Sequence, residues 1–329
     1  MKTPRFPRML LLLILLCLFL PAASPAAAQD VLPDLDPTLT IPTVRHVALG
    51  DSIATGVRFY FWILPYPARY ALAAQSDLRA TIPFLFVLFN NQGVDGMTST
   101  QLLQRVQSDA TLRTQLARAS IITWNVGGND LKDARALYKK GLCGGADNQA
   151  CLTLALSTLQ NNLTQIQQEL LALRAGQPTI LRTIDYYNPF VAEDRLANSW
   201  TDGPVCAGHE CSDLEIFQKV LDSANIFLNS AICANNAHLG QLSFCAQVAQ
   251  AYNGGDGLND PIAAGLVTII DRIHPTNYGH RVIGARLRCL GYLPLRPDVP
   301  DPLCAFATIA EVEPEFEVTT QVQLPLVQR

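Results

Sequence analysis

The chain lacks the features of several large classes of protein. After residue 28 it has no run of 18 consecutive apolar residues, so we expect a soluble mature protein with no integral membrane segment. It has no CxxC pair, which argues against a structural zinc site. It also has no internal repeat and no low-complexity linker that would separate domains.

Charged residues are scarce too. They make up 16% of the chain, and the formal net charge is −4. Residues 1–28 contain three basic side chains and no acidic one, so the charge becomes −7 once that segment is removed. A mildly acidic protein without a basic stripe is a poor partner for nucleic acid or an anionic membrane surface. A small molecule or a lipid is the expected partner, and a monomer is favoured.

Residues 1–28 have the pattern of a signal peptide. Three basic residues open the segment: Lys2, Arg5 and Arg8. An apolar core follows at 9–20, and a small-residue cleavage pattern ends at Ala28, just before Gln29. The core is short for a bilayer span, and an uncleaved anchor is the alternative. Cleavage after Ala28 predicts a secreted, extracellular protein.

The cysteines predict disulfide bonds. Cys17 lies in the leader, so eight cysteines remain, an even number in a chain predicted to be exported. His209 lies between two of them and is interpreted as a loop residue rather than a metal ligand. We predict four bonds between sequence neighbours: Cys143–Cys151, Cys206–Cys211, Cys233–Cys245 and Cys289–Cys304.

Strands and helices alternate along the chain. Apolar runs predict strands at 44–49, 84–89, 120–124 and 179–184, with a fifth near 246–252. Leucine spacing predicts a helix over 152–173, a capping box at Ser212 and Glu215 opens another that runs toward Ala234, and a last helix is predicted over 276–288. This alternation favours the α/β class, with a parallel sheet covered on both faces.

The predicted organisation has four parts. The signal peptide is followed by an extended, proline-containing lead-in at 29–42. One domain then spans 43–304. An acidic tail at 305–329, with four glutamates between residues 311 and 317, completes the chain.

A serine lies where a parallel-sheet enzyme would place a nucleophile. The sequence GDSIATG at 50–56 follows the first apolar run, and Gly50 ends that strand. Ser52 then stands at a strand-to-helix turn, with Gly56 in the first turn of the helix. The N–H groups at a helix N-terminus favour developing negative charge. The alternative is that Ser52 is only a helix cap.

A base with its own partner lies late in the chain. Asp271 and His274 precede Pro275 in a loop before the last predicted helix. Two intervening residues let the carboxylate reach Nδ1 of the imidazole and leave Nε2 free to face a hydroxyl. His46, within the first strand, and His280, on the last helix, are not candidates for the base.

Two further strand ends offer hydrogen-bond donors. Gly96 follows the second apolar run in the segment NQGVDGMT at 91–98, and its backbone N–H could donate to a substrate oxygen. Asn129 follows the third run in GGND at 127–130 and offers a side-chain amide. Each segment alone is equally explained as a turn. Because ligand sites in parallel sheets lie beyond the carboxyl ends of the strands, we expect all these segments to meet there.

Together, the four segments resemble the SGNH/GDSL hydrolase family, named for a serine, a glycine, an asparagine and a histidine in four blocks. GDSIATG, NQGVDGMT, GGND and DRIHP stand in the family's order over roughly residues 44–290. Ile53 replaces the leucine of the family name, an apolar-for-apolar change that leaves the catalytic residues intact.

The resemblance implies a fold and a set of roles. The fold is a flavodoxin-like, three-layer α/β/α sandwich around a five-stranded parallel sheet. Ser52 would be the nucleophile, His274 the base and Asp271 its partner. Ser52, Gly96 and Asn129 would form the oxyanion hole. The family hydrolyses carboxylic esters without a metal or organic cofactor.

The resulting hypothesis is a secreted serine esterase or lipase, with lipid and phospholipid acyl esters among its substrates. A carbohydrate acyl esterase and a thioesterase are alternatives with the same chemistry. A non-catalytic protein that binds glycan or lipid on the same scaffold is an alternative of another class. The intact set of site residues argues against it.

Aromatic residues crowd the segment 59–66, just after the serine. They would line an acyl pocket or touch lipid, or they would form the buried face of the first helix. Together with the run 84–89 they favour an apolar acyl group. Asp185 and Asn188 follow the fourth apolar run and are candidates for shaping the rim of the site, with a simple turn as the alternative.

Overall fold

The computed structural model describes residues 41–56, 63–196, 205–206, 209–210, 212–233 and 241–295. The predicted signal peptide, most of the lead-in and the acidic tail lie outside the described residues. So do residues 59–62, the first half of the aromatic segment 59–66.

A five-stranded parallel sheet forms the centre of the structure. Its strands are β1 (Thr43–Gly50), β2 (Phe86–Asn91), β3 (Ile121–Asn125), β4 (Thr179–Ile184) and, after a short antiparallel pair of β5 (Val205–Cys206) with β6 (His209–Glu210), β7 (Gln241–Ala246). The spatial order is β2-β1-β3-β4-β7. All residues of β3 and β4 are buried, as expected where helices cover both faces of a parallel sheet. The predicted fold class is confirmed.

Helices form the two outer layers. In chain order they are α1 (Ser52–Thr55), α2 (Tyr66–Arg79), α3 (Ser99–Ser108), α4 (Ala110–Ala117), α5 (Gly128–Lys139), α6 (Ala150–Leu173), α7 (Val191–Leu196), α8 (Asp213–Phe227), α9 (Val248–Asn253) and α10 (Asn277–Arg288). A π-helical turn at Leu228–Ile232 extends α8. None of the helices in the described ranges combines the length and apolar character needed to cross a membrane.

The hydrophobic core has one part on each side of the sheet. Ile121 packs with residues of α2 and α10, whereas its neighbour Ile122 packs with residues of α3, α5, α6 and α8. Successive strand residues point to opposite faces, so one buried strand contributes to both parts. The result is the three-layer arrangement that the resemblance implies.

The predicted position of the fifth strand, near 246–252, was wrong. The strand is β7, which ends at Ala246, and α9 occupies the rest of the predicted run. Val248 and Tyr252 are both buried, and their spacing of four residues puts them on one face of a helix. The second strand, β2, begins at Phe86, two residues after the predicted start at residue 84. Phe84 has a φ of 62°, which is not a strand conformation, and it is 83% exposed.

Predicted helix starts and disulfides agree better with the structure. The capping box of Ser212 and Glu215 opens α8, with the Ser212 N–H donating to the Glu215 carboxylate at 2.8 Å. Two of the predicted disulfides are present, with Cα–Cα distances of 4.7 Å for Cys143–Cys151 and 5.7 Å for Cys233–Cys245. Cys289 is disulfide-bonded. Its predicted partner Cys304, and the Cys206–Cys211 pair, lie outside the described residues and side chains.

Gly50 allows β1 to end directly against β3. Its φ is 142°, and a β-carbon there would lie 2.4 Å from the carbonyl oxygen of Asn125, its register partner. Only glycine accepts both the backbone conformation and the close approach. The next residue, Asp51, is therefore held beside β3.

Asp51 lies at the centre of a buried hydrogen-bond network. Its Oδ1 accepts from the N–H of Ile53 and from Nδ2 of Asn125, both at 2.9 Å. The hydroxyl of Tyr66 donates to Oδ1 of Asn125 at 2.6 Å. Burial raises the pKa of the Asp51 carboxyl to about 6, although both hydrogen bonds to it oppose that shift. The network joins β1, β3 and α2 directly behind Ser52.

We predict that Asp51→Asn becomes more stable relative to the wild type as the pH rises from about 4 to about 7. Folding raises the pKa of the Asp51 carboxyl, so the folded state binds its proton more tightly than the unfolded state does. This binding stabilises the fold at pH values below the ordinary pKa of the carboxyl, and the stabilisation is lost as the pH rises through about 6. The amide does not titrate, so the free energy of unfolding of Asp51→Asn, measured relative to that of the wild type, should increase by about 2–3 kcal/mol between these pH values.

Urea denaturation of both proteins at several pH values measures this difference. Asp133→Asn, at a site where the side chain is 69% exposed, is the control and should show little pH dependence. A constant difference between Asp51→Asn and the wild type would contradict the prediction.

Candidate active site

Ser52 is the first residue of α1, the short helix that follows β1. Asp51 is the N-cap of this helix, and Gly56 ends it in the left-handed conformation with φ 75°. Gly56 therefore closes the helix, rather than lying in the first turn of a longer one as the sequence suggested. Ser52 is 9% exposed and lines a cavity at the carboxyl end of the sheet.

Two consecutive hydrogen bonds connect Ser52 to His274 and His274 to Asp271. The Oγ of Ser52 is 2.7 Å from Nε2 of His274, and Nδ1 of His274 is 2.8 Å from Oδ2 of Asp271. An ionised carboxylate only accepts hydrogen bonds, so Nδ1 has the proton and Nε2 accepts from the serine hydroxyl. This is the arrangement in which an imidazole can remove a proton from serine.

The loop around His274 is rigidly held. Oδ1 of Asp271 accepts from the backbone N–H groups of Ile273 and His274, both at 3.0 Å. Arg272, between them, has a φ of 60°, a strained conformation for a residue other than glycine that costs about 1–3 kcal/mol. Tyr187 donates its hydroxyl to the carbonyl of Ile273 at 2.7 Å. Such contacts fix the direction of the imidazole.

The same contacts keep Asp271 ionised. Partial burial would raise the pKa of its carboxyl, but the two backbone N–H groups and the His274 ring outweigh that effect, and the pKa lies below its ordinary value. The carboxylate is therefore available to stabilise an imidazolium over a wide pH range.

Gly96 and Asn129 line the same cavity as Ser52. The loop with Gly96 is tied to α1, because the hydroxyl of Thr55 donates to Oδ1 of Asp95. Nδ2 of Asn129 donates to the carbonyl oxygen of Met97 at 3.1 Å, so the two candidate donors belong to one bonded unit.

A second set of hydrogen bonds joins the segment after β2 to the start of α5. Asp130 accepts from the backbone N–H of Ser99 at 2.9 Å and from its hydroxyl at 2.6 Å. Asn162 on α6 in turn donates to the Ser99 hydroxyl at 2.9 Å. The aspartate of GGND therefore fixes the segment after β2 against the start of α5.

Gly127 is required for the turn between β3 and α5. Its φ is 116°, and a β-carbon there would lie 2.6 Å from Cδ1 of Leu159 and 2.7 Å from the hydroxyl of Tyr186. That hydroxyl donates to the carbonyl of Val126 at 2.7 Å. The turn places Asn129 in the first turn of α5, at the edge of the cavity.

The cavity next to Ser52 is mostly apolar and encloses about 310 Å³. The residues that follow β4 and those on α8 supply most of its apolar lining: Tyr186, Tyr187, Pro189, Phe190, Phe217 and Leu221. Small-molecule sites commonly combine such a lining with a few convergent polar groups. None of these residues was singled out from the sequence, because their convergence depends on tertiary packing.

Arg135 lies behind Phe190 and Phe217, the aromatic wall of the cavity. Its guanidinium carbon is 3.9 Å from the centroid of Phe190 and 5.6 Å from that of Phe217. The guanidinium also pairs with Glu193 at 2.8 Å and with Asp194, whose side chain is fully buried. These contacts join α5, α7 and α8, and they hold the aromatic wall in place.

The structure also locates the two other histidines and the two residues after β4 that were considered in the sequence analysis. His46 and His280 are fully buried, and burial lowers the pKa of each to about 3, so both stay neutral. Asp185 lines the cavity and accepts from the N–H groups at the start of α9. Asn188 accepts from the Phe190 N–H at 2.9 Å and so supports the aromatic wall from behind.

No group of three His, Cys, Asp or Glu side chains within the described ranges is arranged to hold a metal ion. The polar side chains that line the cavity include Ser52, His274 and Asn129. A serine, an imidazole and an amide placed together in this way can carry out acyl transfer through the serine.

Comparisons with known proteins point to lipases and acylhydrolases. The sequence matches the family described as GDSL-like Lipase/Acylhydrolase over residues 47–287. It is 23% identical over 254 residues to the spore germination lipase LipC of Bacillus licheniformis, across 76% of this chain and 97% of LipC.

Among solved structures, the fold is similar to that of the lipase Lip_vut3 from a goat rumen metagenome. The TM-score is 0.58 at 20% sequence identity, and the match covers 76% of this chain and 98% of that one. Because the family match spans most of the chain and includes all four sequence blocks, the chain belongs to the GDSL-like lipase/acylhydrolase family and is a carboxylic ester hydrolase.

Proposed function

We propose that the protein hydrolyses carboxylic esters with Ser52 as nucleophile, His274 as base and Asp271 as the group that orients the base. The observation that supports this most directly is the unbroken set of hydrogen bonds from the Ser52 hydroxyl through the imidazole to the carboxylate, at 2.7 and 2.8 Å. A helix cap would need no such partner.

Each step of ester hydrolysis is assigned to a residue of the candidate site. His274 takes the Ser52 proton at Nε2 as Oγ attacks the ester carbonyl, and Asp271 stabilises the imidazolium that forms. The N–H groups of Ser52 and Gly96 and the amide of Asn129 stabilise the oxyanion. His274 then protonates the leaving alcohol, and water attacks the acyl-enzyme by the same route.

The apolar cavity favours an acyl chain over a sugar as the main recognised group. Its aromatic wall and Leu221 offer few hydrogen bonds to a glycan, whereas each buried methylene of an acyl chain gains about 0.8 kcal/mol. We therefore propose a preference for esters of apolar acids, with lipid esters among the candidates.

We also propose that the protein is exported. The disulfides Cys143–Cys151 and Cys233–Cys245 support this, because such bonds persist mainly in oxidising compartments. The leader pattern at residues 1–28 agrees with it.

Ser52→Ala should abolish ester hydrolysis and leave the fold intact, because the hydroxyl lost is the nucleophile. The measurements are turnover of p-nitrophenyl esters from acetate to palmitate and the thermal melting temperature. A serine-reactive phosphonate should label the wild type and not the variant. Wild-type-like turnover by Ser52→Ala would disprove the assignment.

Acyl-chain preference should follow the size of the cavity. We expect kcat/KM to rise roughly fourfold per added methylene from acetate until the cavity is filled. Leu221→Phe, which reduces the cavity volume, should lower kcat/KM for the preferred long ester by at least tenfold and leave acetate within about twofold. An equal loss on both esters would show that Leu221 does not contact the acyl chain.

The mature protein should begin at Gln29 when it is produced in a secreting host. Intact-mass measurement of protein from the medium tests this and reports the disulfide count at the same time. Protein that retains residues 1–28 in a membrane fraction would favour the uncleaved anchor.

A further inference from the structure

The side-chain amide of Asn129 has a single hydrogen-bonded orientation. Its Nδ2 donates to the Met97 carbonyl at 3.1 Å, and its Oδ1 accepts from Nζ of Lys132 at 3.0 Å. A carbonyl oxygen only accepts and an ammonium only donates, so a flipped amide would lose both bonds. The orientation that satisfies them leaves the second N–H of Nδ2 for an oxyanion.

Lys132 is well placed for this contact. It follows Asn129 by three residues on α5, so both side chains lie on the same face of the helix. Lys132 also lines the catalytic cavity, and its side chain is 38% exposed. The carboxylate of Asp133 is 3.7 Å from Nζ, but it is largely exposed and water screens its attraction.

The ammonium group also has an electrostatic effect on the amide. A cation at Oδ1 draws electron density from the amide and makes its N–H a stronger donor. The strengthened donor is already in place when the tetrahedral intermediate gains negative charge, and such charge is stabilised most by groups already in place.

We propose that Lys132 is a positioning residue of the oxyanion hole, which holds and polarises the amide of Asn129. The inference rests on the proposed function of Asn129 as an oxyanion donor. Lys132 acts through the amide, so its effect belongs to the transition state and not to substrate binding.

The first test is substitution of Lys132 with ester kinetics. Lys132→Met should lower kcat about tenfold with KM within twofold, a smaller loss than the 10²–10³-fold expected for removal of the donor itself. Lys132→Arg, which also donates to an amide oxygen, should recover most of kcat. Lys140→Met, which removes an exposed charge at the far end of α5, is the matched control and should behave as wild type.

The decisive test is a double-mutant cycle with Asn129→Ala. If Lys132 acts through the amide, Lys132→Met should cause no further loss of kcat in the Asn129→Ala background. Additive losses, or a loss confined to KM, would overturn the inference and make Lys132 a direct contact of the substrate. Equal melting temperatures of the four proteins exclude a general effect on folding.

Failure of the underlying assignment has a different signature. If Asn129→Ala alone retains wild-type kcat, then Asn129 is not an oxyanion donor and the proposed function of that residue is wrong. If Asn129→Ala loses activity but Lys132→Met does not, only the role of Lys132 is wrong.

Discussion

The candidate active site depends first on the close approach of β1 and β3 at Gly50. Because no β-carbon intervenes, the Asp51 carboxylate reaches the Asn125 amide, and α1 begins with Ser52 above the sheet edge. The N–H of Val94 donates to the Gly50 carbonyl at 2.9 Å, so the loop after β2 is attached at the same point. Three strand ends are thereby joined within a few residues of the serine.

The second requirement is that the late histidine reaches this edge. An isolated β-bridge between Val267 and Pro275 closes its loop, and Tyr187 holds the loop from the end of β4. Arg69 on α2 donates to Oδ1 of Asn277 at 2.7 Å, which connects the start of α10 to α2. The position of the imidazole thus depends on contacts from three separate parts of the chain.

Local patterns predicted most of the elements. Buried strands such as β4 are continuous apolar runs with β-branched residues, and the Ser212–Glu215 capping box depends only on neighbours in sequence. The edge strand β7 was missed because polar residues, Gln241 and Ser243, interrupt its apolar pattern. The other edge strand, β2, has an unbroken apolar run at 86–89 and was predicted, with a start two residues too early.

Ser52, Gly96 and Asn129 could be predicted from sequence because each follows a strand, and parallel strands end at one edge. Asp271 and His274 follow no strand and were predicted from their spacing and the proline after them. Residues that support them could not be found in this way. Tyr187, Arg135 and Lys132 have no motif of their own, and each has its effect through a partner that only folding brings near. Asn125 is similar, since its role follows from register with Gly50 rather than from a pattern.

The order of the proposed triad along the chain has a consequence for protein synthesis. Ser52 and His274 are 222 residues apart, and the histidine precedes α10. A chain that emerges from its N-terminus presents the serine early and acquires the base only when nearly the whole domain has been made. A nascent or prematurely terminated chain therefore has a serine without a base. With these proposed roles, hydrolysis can begin only after translation of the domain is almost complete.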